Sequence, residues 1–216
     1  MFYLSFFFEC IALLTGLCFF YKLQPSSIKW LVILLLITVL NEGFSFWGVY
    51  KSAGVSKNYF YTSFFFLQAF VFWKIFNVGF LNKKYRQLLA AFSVLFITGM
   101  VVSIITGGAE KLNPYFKNFV GLHLIATGLL YYHYIYNSQK VIGFLKNPFF
   151  WLATGIILVN FINLFFVNAV FIKSFAENPA SKVIYKTLNT FGNLVYYSLI
   201  TYAFLCSSRF QRRGIT

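Results

Sequence analysis

The chain has 216 residues and a formal net charge of +14, and it is 60% hydrophobic, 23% aromatic and only 10% charged. Soluble domains keep roughly a quarter of their residues charged and disorder needs low hydrophobicity, so both a soluble globular domain and a disordered chain are excluded. A mean hydropathy of +0.74 points instead to a polytopic membrane protein, whose positive charge serves orientation and lipid head groups rather than nucleic acid.

A spanning helix needs about 20 mostly apolar residues. Residues 2–21 form the first such run. It has no basic leader, carries Glu9 and lacks a small-residue cleavage site, so it reads as a retained helix rather than a signal peptide. The second and third runs are residues 30–50 and 59–81, split by a connector with Lys51 and Lys57. The fourth, 87–106, follows Lys83, Lys84 and Arg86. The fifth (115–136), sixth (149–172) and seventh (183–206) each follow an asparagine–proline pair: Asn113-Pro114, Asn147-Pro148 and Asn178-Pro179. Asparagine is a good N-cap, and proline at the first helical position loses only an N–H that has no partner anyway. Each pair therefore predicts a helix start. The predicted fold is all-α: a single seven-helix transmembrane bundle occupying residues 1–216.

Basic residues set the orientation. With the N-terminus outside and the C-terminus inside, the inner face receives Lys22, Lys29, Lys83, Lys84, Arg86, Lys140, Lys146, Arg209, Arg212 and Arg213. The outer face receives the smaller set, Lys51, Lys57, Lys111, Lys117, Lys173, Lys182 and Lys186. Every arginine falls inside. The expected location is the cytoplasmic (inner) membrane as a multi-pass protein, with anionic lipid head groups against the inner basic residues.

All four acidic residues are glutamates, which excludes catalysis by paired aspartates and aspartyl-phosphate chemistry. The only histidines, His123 and His133, cannot make a three-histidine zinc site. Neither a cofactor nor a metal is implied, and no nucleophile–base pair marks an enzyme.

Polar groups within apolar runs are the informative feature, because they are costly in lipid and face a bundle interior or a functional cavity. At about 1.5 Å per residue, Glu9, Glu42, Gln68, His123, Asn163, Asn189 and Asn193 fall roughly 9 to 15 Å below the outer helix ends. Lys186 lies nearer the surface. Helical spacing groups Ser5, Glu9, Ala12 and Gly16 on one face of the first helix, and Lys186, Asn189, Asn193 and Tyr196 or Tyr197 on one face of the last. Two readings stand: an outward-opening pocket for a proton, a cation or a small polar ligand, or hydrogen bonds that only fasten helices together.

The run Asn147-Pro148-Phe149-Phe150-Trp151, followed by Gly155, resembles the (Asp/Asn)-Pro-x-Phe-Trp motif of a family of small seven-helix integral membrane proteins from Bacteroidetes. Glu42, Asn58-Tyr59, Asn189 and the basic tail after Cys206 add to the likeness. Many members carry an acid near Gln68, where this chain has the amide. The resemblance implies a sensor or interaction module working beside a signalling kinase or a second copy of itself. In the motif Asn147 reads as a cap, Pro148 as the first turn and Phe149, Phe150 and Trp151 as interfacial anchors; the alternative is partner docking, with Asn147, Pro148, Trp151, Arg209, Arg212 and Arg213 as the candidate partner-facing residues. The competing expectation is a small proton- or cation-coupled transporter of a polar solute.

Overall fold

In a computed structural model, residues 2–52, 56–107, 114–138, 143–169 and 179–210 are described. Among them are seven long helices and one of a single turn, with no strand. They are α1 (Phe2–Cys18), α2 (Lys29–Phe46), the short α3 (Val49–Ser52), α4 (Lys57–Gly79), α5 (Lys83–Gly107), α6 (Pro114–Asn137), α7 (Pro148–Ala169) and α8 (Pro179–Phe210). Each predicted run contains one long helix, and α6, α7 and α8 all begin at the proline of an asparagine–proline pair. Asn113 and Asn178 lie outside the described residues. Asn147 does cap its helix: its Oδ1 accepts the Phe149 N–H at 3.0 Å.

The boundaries move for local reasons. The second run breaks before Tyr50 because Gly48 takes φ +69°, a left-handed conformation that ends α2 at Phe46 and starts α3. The last helix gains a turn at each end relative to residues 183–206, because its polar ends continue the backbone ladder beyond the apolar stretch.

The helices close a ring in the order α1, α2, α4, α6, α7, α8 and back to α1, while α5 packs outside it against α4 and α6. Position in this ring explains what each helix buries. In α5 a narrow stripe, Leu89, Ser93, Met100 and Ser103, is buried, while Val94, Leu95 and Ile105 are exposed. Exposed aliphatic residues on that scale suit acyl chains rather than water. Four helices, Ser26–Phe46, Asn58–Gly79, Lys83–Gly107 and Pro148–Phe165, are long and apolar enough to cross a membrane, and Leu4–Cys18 is a shorter apolar helix.

The core runs down the ring as Phe72, Ile75, Phe76, Phe80, Leu124, Tyr131, Ile156, Ile200 and Phe204, all essentially inaccessible. Small residues let the ring close. A Cβ on Gly16 would stand 2.9 Å from both Phe204 and Val32, so this glycine is where α1 enters the groove between α2 and α8.

One end of the bundle is tied by polar contacts. The Ser207 hydroxyl accepts the Gln24 N–H at 2.9 Å and donates to the Gln24 carbonyl at 2.7 Å. Arg86 Nε donates to the Phe80 carbonyl at 2.7 Å, and Trp151 Nε1 to the Leu145 carbonyl at 2.7 Å. Lys22, Lys29, Lys83, Lys84, Arg86, Lys146 and Arg209 belong to this end by their positions at its helix termini. Lys140, Arg212 and Arg213 of the predicted inner set lie outside the described residues, as do Lys111 and Lys173 of the outer set.

Candidate functional site

At the opposite end, α1, α2 and α8 enclose a cavity of about 470 Å³. Its lining is Ser5, Phe6 and Glu9 from α1, Glu42 from α2, and Tyr185, Lys186, Asn189, Thr190 and Asn193 from α8. Helix periodicity builds it. Ser5 and Glu9 are one turn apart, and Lys186, Asn189 and Asn193 follow at i, i+3 and i+7 on the facing side of α8. Five of the residues singled out from sequence, Glu9, Glu42, Lys186, Asn189 and Asn193, therefore share one chamber.

The two carboxylates are held differently. Glu9 is only 6% exposed. The Tyr197 hydroxyl donates to its carboxylate, yet its Oε2 is buried with no hydrogen-bond partner among the described residues. An unsatisfied buried carboxylate oxygen is costly. Glu42 is half-buried, and its Oε1 accepts the Tyr61 hydroxyl at 3.2 Å. One residue earlier, Asn41 accepts the Tyr50 hydroxyl at 2.7 Å, which fixes the last turns of α2 against α3. Lys186 is exposed and stands at the mouth.

The remaining sequence candidates fall elsewhere. Gln68 of α4 hydrogen-bonds Tyr196, the neighbour of the tyrosine that holds Glu9, so it sits behind the cavity wall rather than in it. Asn163 lines a second, smaller cavity of about 160 Å³ with Lys117, Asn118, Asn160 and Tyr185. Tyr185 borders both cavities.

His123 is not in either. It is fully buried where α6 meets α5, with Nε2 3.0 Å from Ser93 Oγ. Ser93 already donates its hydroxyl proton to the Leu89 carbonyl at 2.8 Å. Its oxygen must therefore accept from His123, which places the ring proton on Nε2 and leaves Nδ1 without a partner. Placing His123 in the pocket requires α6 to face α1, and the ring order puts α5 beside it instead.

The tyrosines are what the sequence left undecided. Tyr196 and Tyr197 both fit the polar stripe of the last helix. In the structure they divide the work, Tyr197 on Glu9 and Tyr196 on Gln68. Tyr61, which holds Glu42, had no sequence signal beyond its place near a helix start.

The tied end has its own cavity, about 510 Å³, bordered by Gln24, Tyr131, Tyr134, Lys146, Asn147 and Phe149 among others. Here the asparagine–proline motif turns inward. Besides capping α7, Asn147 donates from Nδ2 to the Tyr131 hydroxyl at 2.9 Å. Pro148 is buried, and the Trp151 indole N–H is used within the chain. Arg209 is exposed at the end of α8, while Arg212 and Arg213 are outside the described residues.

No protein-family model, curated protein or solved structure matches this chain.

Proposed function

We propose that all seven long helices cross the cytoplasmic membrane, N-terminus outside, and that the protein is a sensor or interaction module. A small polar ligand enters the α1–α2–α8 cavity from outside, and the tied inner end passes the change to a signalling partner or a second copy of the chain. The observation that carries this reading is Glu9: a buried carboxylate with an unsatisfied oxygen beside a cavity that also gathers Glu42, Lys186, Asn189 and Asn193. Length supports seven crossings, since α1 has 17 residues, α6 has 24 and α8 has 32, against a need of about 17 to 25. Basic residues gathered at the tied end support an inner location beside anionic head groups.

A transporter is the second reading, favoured by the 510 Å³ cavity at the other end of the same bundle. Between the two cavities the ring is filled by Phe72, Ile156 and Ile200, each 1% exposed or less. That packing supports reception rather than passage. Reconstitution into sealed vesicles separates the two. We expect no flux of labelled amines, amino acids or sugars above protein-free vesicles, and Glu9→Gln with Glu42→Gln should abolish cross-linking to a partner in native membranes. Saturable flux lost in the double variant would replace the sensor reading with transport.

A further inference from the structure

The cavity also carries information about the chemistry of its ligand, an inference that rests on the pocket just described. The lining contains two carboxylates, Glu9 and Glu42, and a single cationic side chain, Lys186. With both glutamates ionised, the lining is one negative charge in excess. The charges are also ordered by depth, because Glu9 is almost fully buried whereas Lys186 is exposed.

Both carboxylates belong to the cavity wall, the half-buried Glu42 and the edge of Glu9 that remains accessible, whereas Glu9 Oε2 is sealed from the cavity. Ionised carboxylates accept hydrogen bonds, and a cationic donor serves them most strongly. The rest of the lining suits the remainder of such a molecule. Ser5, Thr190, Asn189 and Asn193 offer hydroxyls and amides that both donate and accept. Phe6 and Tyr185 supply aromatic rings, whose faces attract ammonium groups.

A bare metal ion fits less well. The described residues contain no group of three histidine, cysteine or acidic side chains that could hold one. A cavity of about 470 Å³ is also far larger than an ion and falls in the range of small-molecule sites.

We propose that the α1–α2–α8 cavity binds a small polar organic ammonium compound, with its cationic nitrogen at the Glu9 and Glu42 carboxylates and its hydroxyl or amide groups on Asn189, Asn193 and Thr190. The ammonium group can belong to a free metabolite or to a lipid head group, since the chemistry at the carboxylates is the same. Lys186 at the mouth turns away simple divalent cations and leaves room for one positive charge beneath it.

The test uses three molecules of one shape and different charge: glucosamine, glucose and glucuronate. The three native cysteines, Cys10, Cys18 and Cys206, are replaced by alanine, and Ser5→Cys reports on the cavity through its rate of reaction with a small water-soluble thiol reagent. We expect glucosamine to slow labelling on the order of tenfold at saturation, which matches a charge-assisted hydrogen bond to a buried partner. Glucose and glucuronate should give little protection, and Glu9→Gln should remove the effect of glucosamine. Adding phosphatidylethanolamine to phosphatidylglycerol vesicles identifies the source. Competition with glucosamine assigns the site to the lipid head group, and its absence to a free amine.

Labelling that proceeds but is not slowed by glucosamine, or is slowed equally by glucuronate, overturns the ligand class while leaving the pocket intact. Failure of Ser5→Cys to label at all removes the water-accessible pocket, and the sensor reading with it. The comparison of the three sugars on the parent protein decides the question even if Glu9→Gln does not fold.

Discussion

Asn147→Ala is expected to lower stability by about 2 kcal/mol, the sum of a lost N-cap and a lost buried hydrogen bond of about 1 kcal/mol each. Its Oδ1 caps α7 on Phe149 and its Nδ2 serves Tyr131 of α6, so one side chain joins two helices. Tyr131 is 1% exposed and packed among Phe76, Phe80 and Phe149. Once that partner is removed, its hydroxyl is left with only the cavity of the tied end to turn to. Asn147→Asp should behave differently. A carboxylate still accepts the Phe149 N–H, the Tyr131 hydroxyl can donate to its second oxygen, and a negative charge suits a helix N-terminus. We expect it to stay within about 1 kcal/mol of the parent. Unfolding by sodium dodecyl sulfate in mixed micelles measures both. Equal losses for alanine and aspartate would contradict the two-bond role.

The second large effect is expected at Gly16. A Cβ there would lie 2.9 Å from Phe204 Cε2 and 2.9 Å from Val32 Cγ2. Neither neighbour can give way easily, since Phe204 is 0% and Val32 2% exposed. Overpacking of this kind costs about 1 to 3 kcal/mol, so Gly16→Ala should fall near the lower figure and Gly16→Val near or above the upper one. Because α1 carries Glu9 on the same face two turns away, Gly16→Val should also disturb the cavity. Thermal unfolding in detergent reads the stability change, and faster labelling of Ser5→Cys reads the opening. A Gly16→Val protein as stable as the parent would mean that α1 is not seated between α2 and α8.

The contrast between these two sites shows which parts of the fold a sequence can carry. Helix starts were legible because they depend on local chemistry. Proline at 114, 148 and 179 stands at the first helical position in each case. Depth was legible too, since it needs only a count of residues along a helix. Glu9, Glu42, Lys186, Asn189 and Asn193, grouped by that count, line one chamber.

What depth does not contain is rotation about the helix axis and the order of helices around the ring. Those depend on pairwise packing such as that at Gly16, and on α5 lying outside the ring against α6. The same gap explains the candidates that fell elsewhere. His123 has the right depth and a neighbour in Ser93 instead of Glu9. Asn163 has the right depth and a separate cavity, and Gln68 is turned to Tyr196. Asn147 caps α7, as the asparagine–proline pair predicts. Motif residues look available in a sequence, but their polar groups here are consumed by Tyr131, Phe149 and Leu145.

Sided labelling tests most directly whether the α1–α2–α8 pocket opens on the face opposite the Asn147 motif. On the cysteine-free background, Asn193→Cys reports on the α1–α2–α8 cavity and Ser138→Cys on the cavity at the tied end. A membrane-impermeant thiol reagent added to intact cells should label Asn193→Cys, and should reach Ser138→Cys only after the membrane is opened. Labelling of both positions from the same side, or an Asn193→Cys that stays unreactive from either side, would contradict an opening on that face.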